Sequence, residues 1–236
     1  MHEIQSHNLK EIAARYAVNS FVHAGMNVGL GSGSTAAYAV SALAERIRSE
    51  GLTVGKLIAT SSETERLAAF HGMTAGRDLT AAFGWLDVTI DGADEVDPEL
   101  NLIKGGGGAL LREKLIAERT RREVIIVDES KVSDRLGTKH DLPVMIAQYA
   151  WETIAERVAA VCGAAPVRRN TPTGEVFVSD DGLFCLDVPT GPIADARALE
   201  SKLKAVTGVV DTGLFINLAH TVVVAKTDGK IEVLGR

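Results

Sequence analysis

The sequence predicts an α/β protein in two parts, and three observations carry that expectation. Short apolar runs alternate with segments of helical periodicity from the N-terminus to about residue 138, the pattern of a parallel sheet covered by helices. The first apolar run passes through a glycine-serine loop directly into a helix, as in the opening βα turn of a Rossmann-like open parallel sheet. From about Lys139 the alternation changes to a β-α-β-β-α-β outline, which predicts a smaller, ferredoxin-like α+β domain. The division expected is therefore 1–138 with 208–236 as the Rossmann-like catalytic domain, and 139–207 as the small domain.

Along the chain, residues 8–23 repeat apolar side chains at helical spacing (Leu9, Ile12, Ala13, Tyr16, Ala17, Phe21), and Gly25 ends the helix. Met26–Leu30 reads as a strand, Gly31–Thr35 as its loop, and 36–48 as the following helix. The loop Gly31-Ser32-Gly33-Ser34-Thr35 offers amides and hydroxyls to a phosphate or a sugar. It has no GK[ST] and lacks the third glycine of GxGxxG, so a nucleotide is not indicated. The next unit runs Lys56–Thr60, an N-cap at Ser61-Ser62, and a helix over 63–71. Its strand end carries no acid for a ribose, and Glu63 is explained by the helix dipole.

Leu86–Ile90 reads as a buried strand that opens into the densest stretch of chemistry in the chain, Asp91 to Ala117. Asp91 and Asp94 fall in one turn at a sheet edge where open α/β folds bind ligands, and both are expected to face the site with Gly92 and Ala93 between them. Asp97-Pro98 is expected to start another turn, with Pro98 at the first position of a short helix and Asp97 facing water. The run Gly105–Gly108 fills no volume and is read as backbone amides approaching an oxyanion ahead of a helix over 109–119. On that helix Glu113 has Ala109, Leu110, Ile116 and Ala117 at i±3 and i±4. It has no basic partner on its face, Arg112 and Lys114 pointing elsewhere. Carboxylates among apolar side chains resist ionisation, which suits a general base.

A strand over 123–127 then ends in Asp128-Glu129-Ser130-Lys131 at the same edge, where Lys131 could add positive charge. In the small domain the expected pieces are strands 142–147, 183–188 and 209–212, extended segments 167–170 and 175–179, and helices 149–161 and 193–206. The closing runs 214–216, 221–224 and 231–234 are expected to rejoin the first sheet.

Composition narrows the function. The 236 residues are 46% hydrophobic and 24% charged with a net charge of −6, ordinary for a globular protein and adverse to nucleic-acid binding. No run nears 18 apolar residues and the N-terminus has no apolar leader core, so a cytoplasmic protein without membrane partners is expected. Cys162 and Cys185 have no metal or CxxC spacing and read as buried thiols.

The segments GLGSGSTA at 29–36, DGADE at 91–95, KGGGGALLREK at 104–114, DESK at 128–131 and GVVDTGLF at 208–215 resemble the A-type ribose-5-phosphate isomerases. The resemblance covers nearly the whole chain. It implies an aldose-ketose isomerase that interconverts D-ribose 5-phosphate and D-ribulose 5-phosphate through an enediolate, in the non-oxidative pentose phosphate pathway. It implies no metal and no organic cofactor, a small pentose phosphate as the only partner besides the chain's own copies, and a homodimer or homotetramer.

Position by position, Glu113 resembles the family's general base and Asp91 the residue that assists ring opening and proton movement, with Asp94 beside it. Lys104 and the amides of Gly105, Gly106 and Gly107 match the groups that stabilise developing negative charge. Ser32, Gly33, Ser34, Thr35 and Lys131 match substrate-binding positions. Ser32 departs from the threonine of many members but keeps the hydroxyl. The resemblance supports no assignment for Lys10.

Four other readings compete. A non-enzymatic sugar-phosphate sensor of related fold would not need Glu113. A nucleotide-dependent dehydrogenase lacks its fingerprint, and an acyl-CoA transferase would use a glutamate nucleophile. A calcium loop at 91–99 does not fit EF-hand spacing.

Overall fold

The computed structural model describes residues 2–76, 79–80 and 83–235, with side chains from residue 9 onward. In chain order the first elements are α1 (His2–Phe21), β1 (Val28–Leu30), α2 (Gly33–Glu50), β2 (Leu57–Ala59), α3 (Ser62–Phe70), β3 (Ala75–Gly76) and β4 (Val88–Gly92). Then come β5 (Glu95–Val96), β6 (Leu102–Ile103), α4 (Leu110–Glu118), β7 (Glu123–Asp128), β8 (Leu142–Ile146), α5 (Trp151–Cys162) and β9 (Val167–Arg168). The last are β10 (Phe184–Val188), α6 (Ala196–Lys204), β11 (Val209–Thr212), β12 (Leu214–Phe215), β13 (Thr221–Ala225) and β14 (Ile231–Gly235).

The chain divides into two compact units. The first takes Met1–Ala93, Arg112–Lys131 and Asn217–Arg236, the second Asp94–Leu111 and Val132–Ile216.

The first unit is built on a seven-stranded sheet of order β14-β13-β7-β4-β1-β2-β3. All its neighbours are parallel except the edge pair β13–β14. Parallel strands are covered on both faces, so they are apolar throughout rather than alternating. Every residue of β1, β2, β7 and β13 is buried, whereas edge strand β14 is half to fully exposed. Leu9, Ala13, Ala17 and Val18 of α1 join Val28, Leu30, Ile90, Val124 and Ile126 in one core. Tyr16, expected on that apolar stripe, is 39% exposed. Helix α2 stops at Gly51, whose left-handed backbone returns its N–H to the Arg46 carbonyl. After β3 the chain crosses to the other side of β1 and continues as β4. The sheet's switch point thus lies between β1 and β4, where ligand crevices form in such folds.

The second unit carries an antiparallel sheet of order β11-β8-β10-β9. Numbered within the six-element outline this is 4-1-3-2, the split arrangement the sequence predicts. Ile154 and Val158 of α5 and Leu203 of α6 pack on Leu142, Val144 and Ile146 of β8. A three-stranded sheet, β12-β6-β5, completes the unit.

That small sheet holds the main departures from expectation. Residues 214–216 do not rejoin the first sheet: Leu214 pairs with Ile103 and Phe215 with Leu102, and only β13 and β14 return. The turn expected at Asp97-Pro98 is present, but no helix follows it. The Asp97 Oδ1 atom accepts the N–H groups of Glu99 and Asn101 at 2.9 and 2.8 Å, and a short acid that takes those amides competes with helical bonding. Asp97 is therefore half-buried and bonded rather than turned to water. The expected small domain 139–207 lies wholly inside the second unit, which also contains 94–111, 132–138 and 208–216. Pairing of β11 with β8 and of β12 with β6 draws these segments in. Among the described residues no helix is long and apolar enough to cross a membrane.

Candidate active site

In the first unit the candidate residues sit at the carboxyl ends of adjacent strands. Asp91, 1% exposed at the end of β4, accepts the Ser32 N–H at 3.1 Å and the Gly92 N–H at 2.7 Å on Oδ1. Gly31 lets the β1 loop come this close, since a methyl group there would lie 2.2 Å from Asp91 Oδ1. Gly33 follows with φ +88°, a conformation costly for any residue with a Cβ. Ser32 caps α2 without a side-chain hydrogen bond. Its hydroxyl instead bonds with Thr60, Ser61 and Thr64 at 2.6, 2.8 and 3.2 Å. That network anchors the loop to β2 and α3. Ser34 is exposed and Thr35 half-buried, and Ser34 Oγ accepts from Lys10 Nζ at 3.0 Å. Lys10 therefore brings a cation from α1 to the amino end of α2, a role that helical periodicity alone does not reveal.

Glu113 is 6% exposed on α4, and Leu110, Ile116 and Ala117 on its face are buried as expected. Lys114 is also buried, at 3% exposure. Lys131 ends a 3-10 turn, Glu129–Lys131, and is half-buried. The turn is organised by Asp128, which accepts the Ser130 N–H at 2.9 Å and pairs with its hydroxyl.

The second unit holds the glycine run. Asp94 follows the half-buried Gly92 and Ala93; its N–H donates to the Ile103 carbonyl at 2.8 Å, and its Oδ2 accepts the Gly106 N–H at 2.7 Å. A methyl group on Gly106 would lie 2.8 Å from Asp94 Oδ1, and one on Gly108 only 2.2 Å from Phe177 Cζ. The run thus has packing reasons of its own, contrary to the expectation that packing cannot explain it. Gly107 alone of the four would meet nothing within 4 Å.

Lys104 is 3% exposed. Its N–H donates to the Gly213 carbonyl at 2.9 Å and its ammonium lies 5.5 Å from the centre of the Phe215 ring, so the β6–β12 pairing sets its direction.

Three further residues shape this loop region. Arg169 pairs with Asp187 through both arms of its guanidinium and donates to the Gly105 and Gly106 carbonyls at 2.8 and 3.1 Å. Burial works against its charge, but the Asp187 carboxylate more than offsets this, and the pKa stands above its usual value. Glu95, fully buried, accepts from Ser133 Oγ at 2.6 Å and from the amides of Gly137, Thr138, Lys139 and His140 at 2.9–3.3 Å. The loop it ties down carries His140, whose Nε2 lies 4.0 Å from Asp94 Oδ1. Glu95 had only its place next to Asp94 as a sequence signal. Arg169 had none, being one of two arginines in a short extended run. Among the described residues no three His, Cys, Asp or Glu side chains gather as metal ligands.

Residues 56–229 match the family model described as ribose 5-phosphate isomerase A (phosphoriboisomerase A). The chain belongs to this family. It is 46% identical over 227 residues to the ribose-5-phosphate isomerase A of Gloeobacter violaceus, covering 96% of this chain and 95% of that protein. Among solved structures it resembles the ribose 5-phosphate isomerase of Plasmodium falciparum, with a TM-score of 0.92 at 36% identity over 98% of this chain and 99% of that one. A D-ribose-5-phosphate isomerase in complex with phospho-erythronic acid superposes with a TM-score of 0.90 at 34% identity, over 97% of this chain and 98% of that one. The protein is thus an enzyme of the ribose-5-phosphate isomerase A family, and the five sequence segments that resemble the family lie on the elements described above.

Proposed function

We propose that the chain interconverts D-ribose 5-phosphate and D-ribulose 5-phosphate by proton transfer through an enediolate, as a step of the non-oxidative pentose phosphate pathway. The observation that carries this reading is Glu113, a carboxylate withdrawn to 6% exposure on the helix that follows the glycine run, with Leu110, Ile116 and Ala117 buried on the same helix face. A protein that only senses a sugar phosphate has no use for it.

In this mechanism the Glu113 carboxylate takes the proton from C2 of the open-chain aldose. The C2–H electron pair forms the C1–C2 double bond, and the carbonyl pair moves onto O1. Lys104 and the glycine amides not already bonded to Asp94 stabilise that oxyanion; such donors contribute roughly 10²- to 10³-fold each. Glu113 returns the proton to C1 while a proton passes from O2 to O1, leaving the ketose. Asp91, fixed by two amides, is proposed to assist ring opening and the oxygen-to-oxygen transfer. Asp94 has Gly106 N–H as its own partner, so its proposed part is to hold the glycine loop as well as to meet substrate oxygens.

The phosphate is assigned to the amides and hydroxyls of Gly33, Ser34 and Thr35 at the start of α2, with Lys10 and Lys131 supplying charge. Ser32 contributes through its backbone and its hydroxyl network. The relative solved with phospho-erythronic acid, a phosphorylated four-carbon acid, supports a ligand of this class. The reading includes a cytoplasmic homodimer or homotetramer.

The test is conversion of ribose 5-phosphate to ribulose 5-phosphate in excess chelator without nucleotide. Turnover is expected. Binding of the sugar phosphate without turnover would favour the sensor instead.

A further inference from the structure

Four adjacent glycines are the least rigid backbone a chain can offer, yet a donor of catalytic value must be fixed before the charge develops. The structure shows what holds these. Arg169 Nη1 donates to the carbonyls of Gly105 and Gly106 at 2.8 and 3.1 Å. In a trans peptide the carbonyl and the next residue's N–H lie in one plane and point in opposite directions. Binding those two carbonyls therefore fixes the planes that carry the Gly106 and Gly107 N–H groups and turns both away from Arg169. The Gly106 N–H meets Asp94 Oδ2 at 2.7 Å.

The guanidinium is itself held. Its Nε lies 2.9 Å from Asp187 Oδ2 and its Nη2 bonds Oδ1. Its backbone is bracketed by hydrogen bonds to the Cys185 carbonyl and from the Phe177 N–H, at 2.8 and 3.0 Å. A lysine could not do the same, because a fork with separate faces for a carboxylate and two carbonyls is particular to arginine.

We propose that Arg169 is a positioning residue for the isomerisation, acting through the Gly105 and Gly106 carbonyls to preorganise the loop's N–H donors, with Asp187 as its anchor. The positive charge behind the carbonyls also polarises both peptides and strengthens their N–H groups as donors. This rests on the isomerase reading, in which the Gly107 N–H faces a developing oxyanion while the Gly106 N–H holds the Asp94 carboxylate. Arg169 need not touch the substrate, and its loss acts on turnover more than on capture of the phosphate.

The experiment compares wild type, Arg169→Met and Arg169→Lys for kcat, KM and melting temperature, with free guanidinium or urea added back at equal millimolar concentration. For Arg169→Met, kcat is expected to fall on the order of 10²-fold, the scale of a misplaced catalytic group, while KM moves far less. Guanidinium should restore part of kcat and neutral urea none. Arg169→Lys should fold like wild type and still lose turnover, which keeps the test decisive if the methionine variant fails to fold. Wild-type kcat in either folded variant overturns the proposal. So does a loss that guanidinium does not relieve and that follows melting temperature alone. A wild type without turnover would instead defeat the isomerase reading and take this proposal with it.

Discussion

Lys10 shows how a single side chain is assigned by its neighbour. Its ammonium lies 3.0 Å from Ser34 Oγ at the amino end of α2, where unpaired amides and the helix dipole attract anions. A charge-assisted hydrogen bond is worth about 1.5–3 kcal/mol. Lys10→Ala should therefore raise KM for ribose 5-phosphate by about 10- to 100-fold with a smaller change in kcat, and an unchanged KM would remove Lys10 from the phosphate site.

The two cysteines behave oppositely to reactive thiols. Burial pushes Cys162 up to about 11 and Cys185 up to about 12, although Cys162 is half-buried rather than fully buried. Both remain protonated near neutrality, and the thiolate is the nucleophile. Iodoacetamide at pH 7.5 should leave the folded protein unlabelled and add two groups to the urea-unfolded chain, as read by mass spectrometry; rapid labelling of the folded form would contradict this. The sign of the linkage follows. The native state keeps protons that the unfolded state gives up above the ordinary value of 9.0, so this contribution to stability is full below that pH and declines as pH rises through 11 and 12. Asp91, Asp94 and Glu113 were visible in the sequence because each stands beside a strand end or on an apolar helix face. Lys10 and Arg169 were not, since Ser34 lies 24 residues from Lys10, and the glycine carbonyls that Arg169 binds lie 63 and 64 residues from it.

At the scale of elements, the glycine run shows both what a sequence reveals and what it hides. Four glycines in a row announce a backbone that must approach something. Which glycine meets what depends on Asp94, Leu110 and Phe177, and on left-handed backbone at Gly105 and Gly108. Two alanine substitutions separate these cases. Gly107→Ala meets open space and should leave the melting temperature near wild type. Gly108→Ala drives a methyl group into the Phe177 ring and should cost about 1–3 kcal/mol from crowding, with backbone strain in addition. Equal melting temperatures for the two variants would contradict the packing described for Phe177. The strand β5 and the missing helix after Pro98 escaped notice for a related reason. Two-residue strands carry no periodicity, and Pro98 marks a turn as readily as a helix.

For the molecule as a whole, topology was the most legible feature. Alternating apolar runs and helices imply a parallel sheet, and right-handed crossovers leave few strand orders to consider. Strand order 3-2-1-4 about β1 is one of these, and the split outline of the second unit is the one the sequence predicts. The limits of the units were less accessible, because β12 pairs with β6 across more than a hundred residues of sequence and nothing local announces that partner. The same topology places Gly31–Thr35 and Asp91 at one switch point, where the isomerisation is proposed to take place. Glu113 is the residue proposed to move the proton, and loss of a general base typically costs about 10²- to 10⁴-fold. The most direct measurement sets Glu113→Gln beside wild type, assaying ribulose 5-phosphate formation together with binding of phospho-erythronate. Loss of turnover on that scale with binding retained is the predicted result. Wild-type turnover in Glu113→Gln would contradict the account.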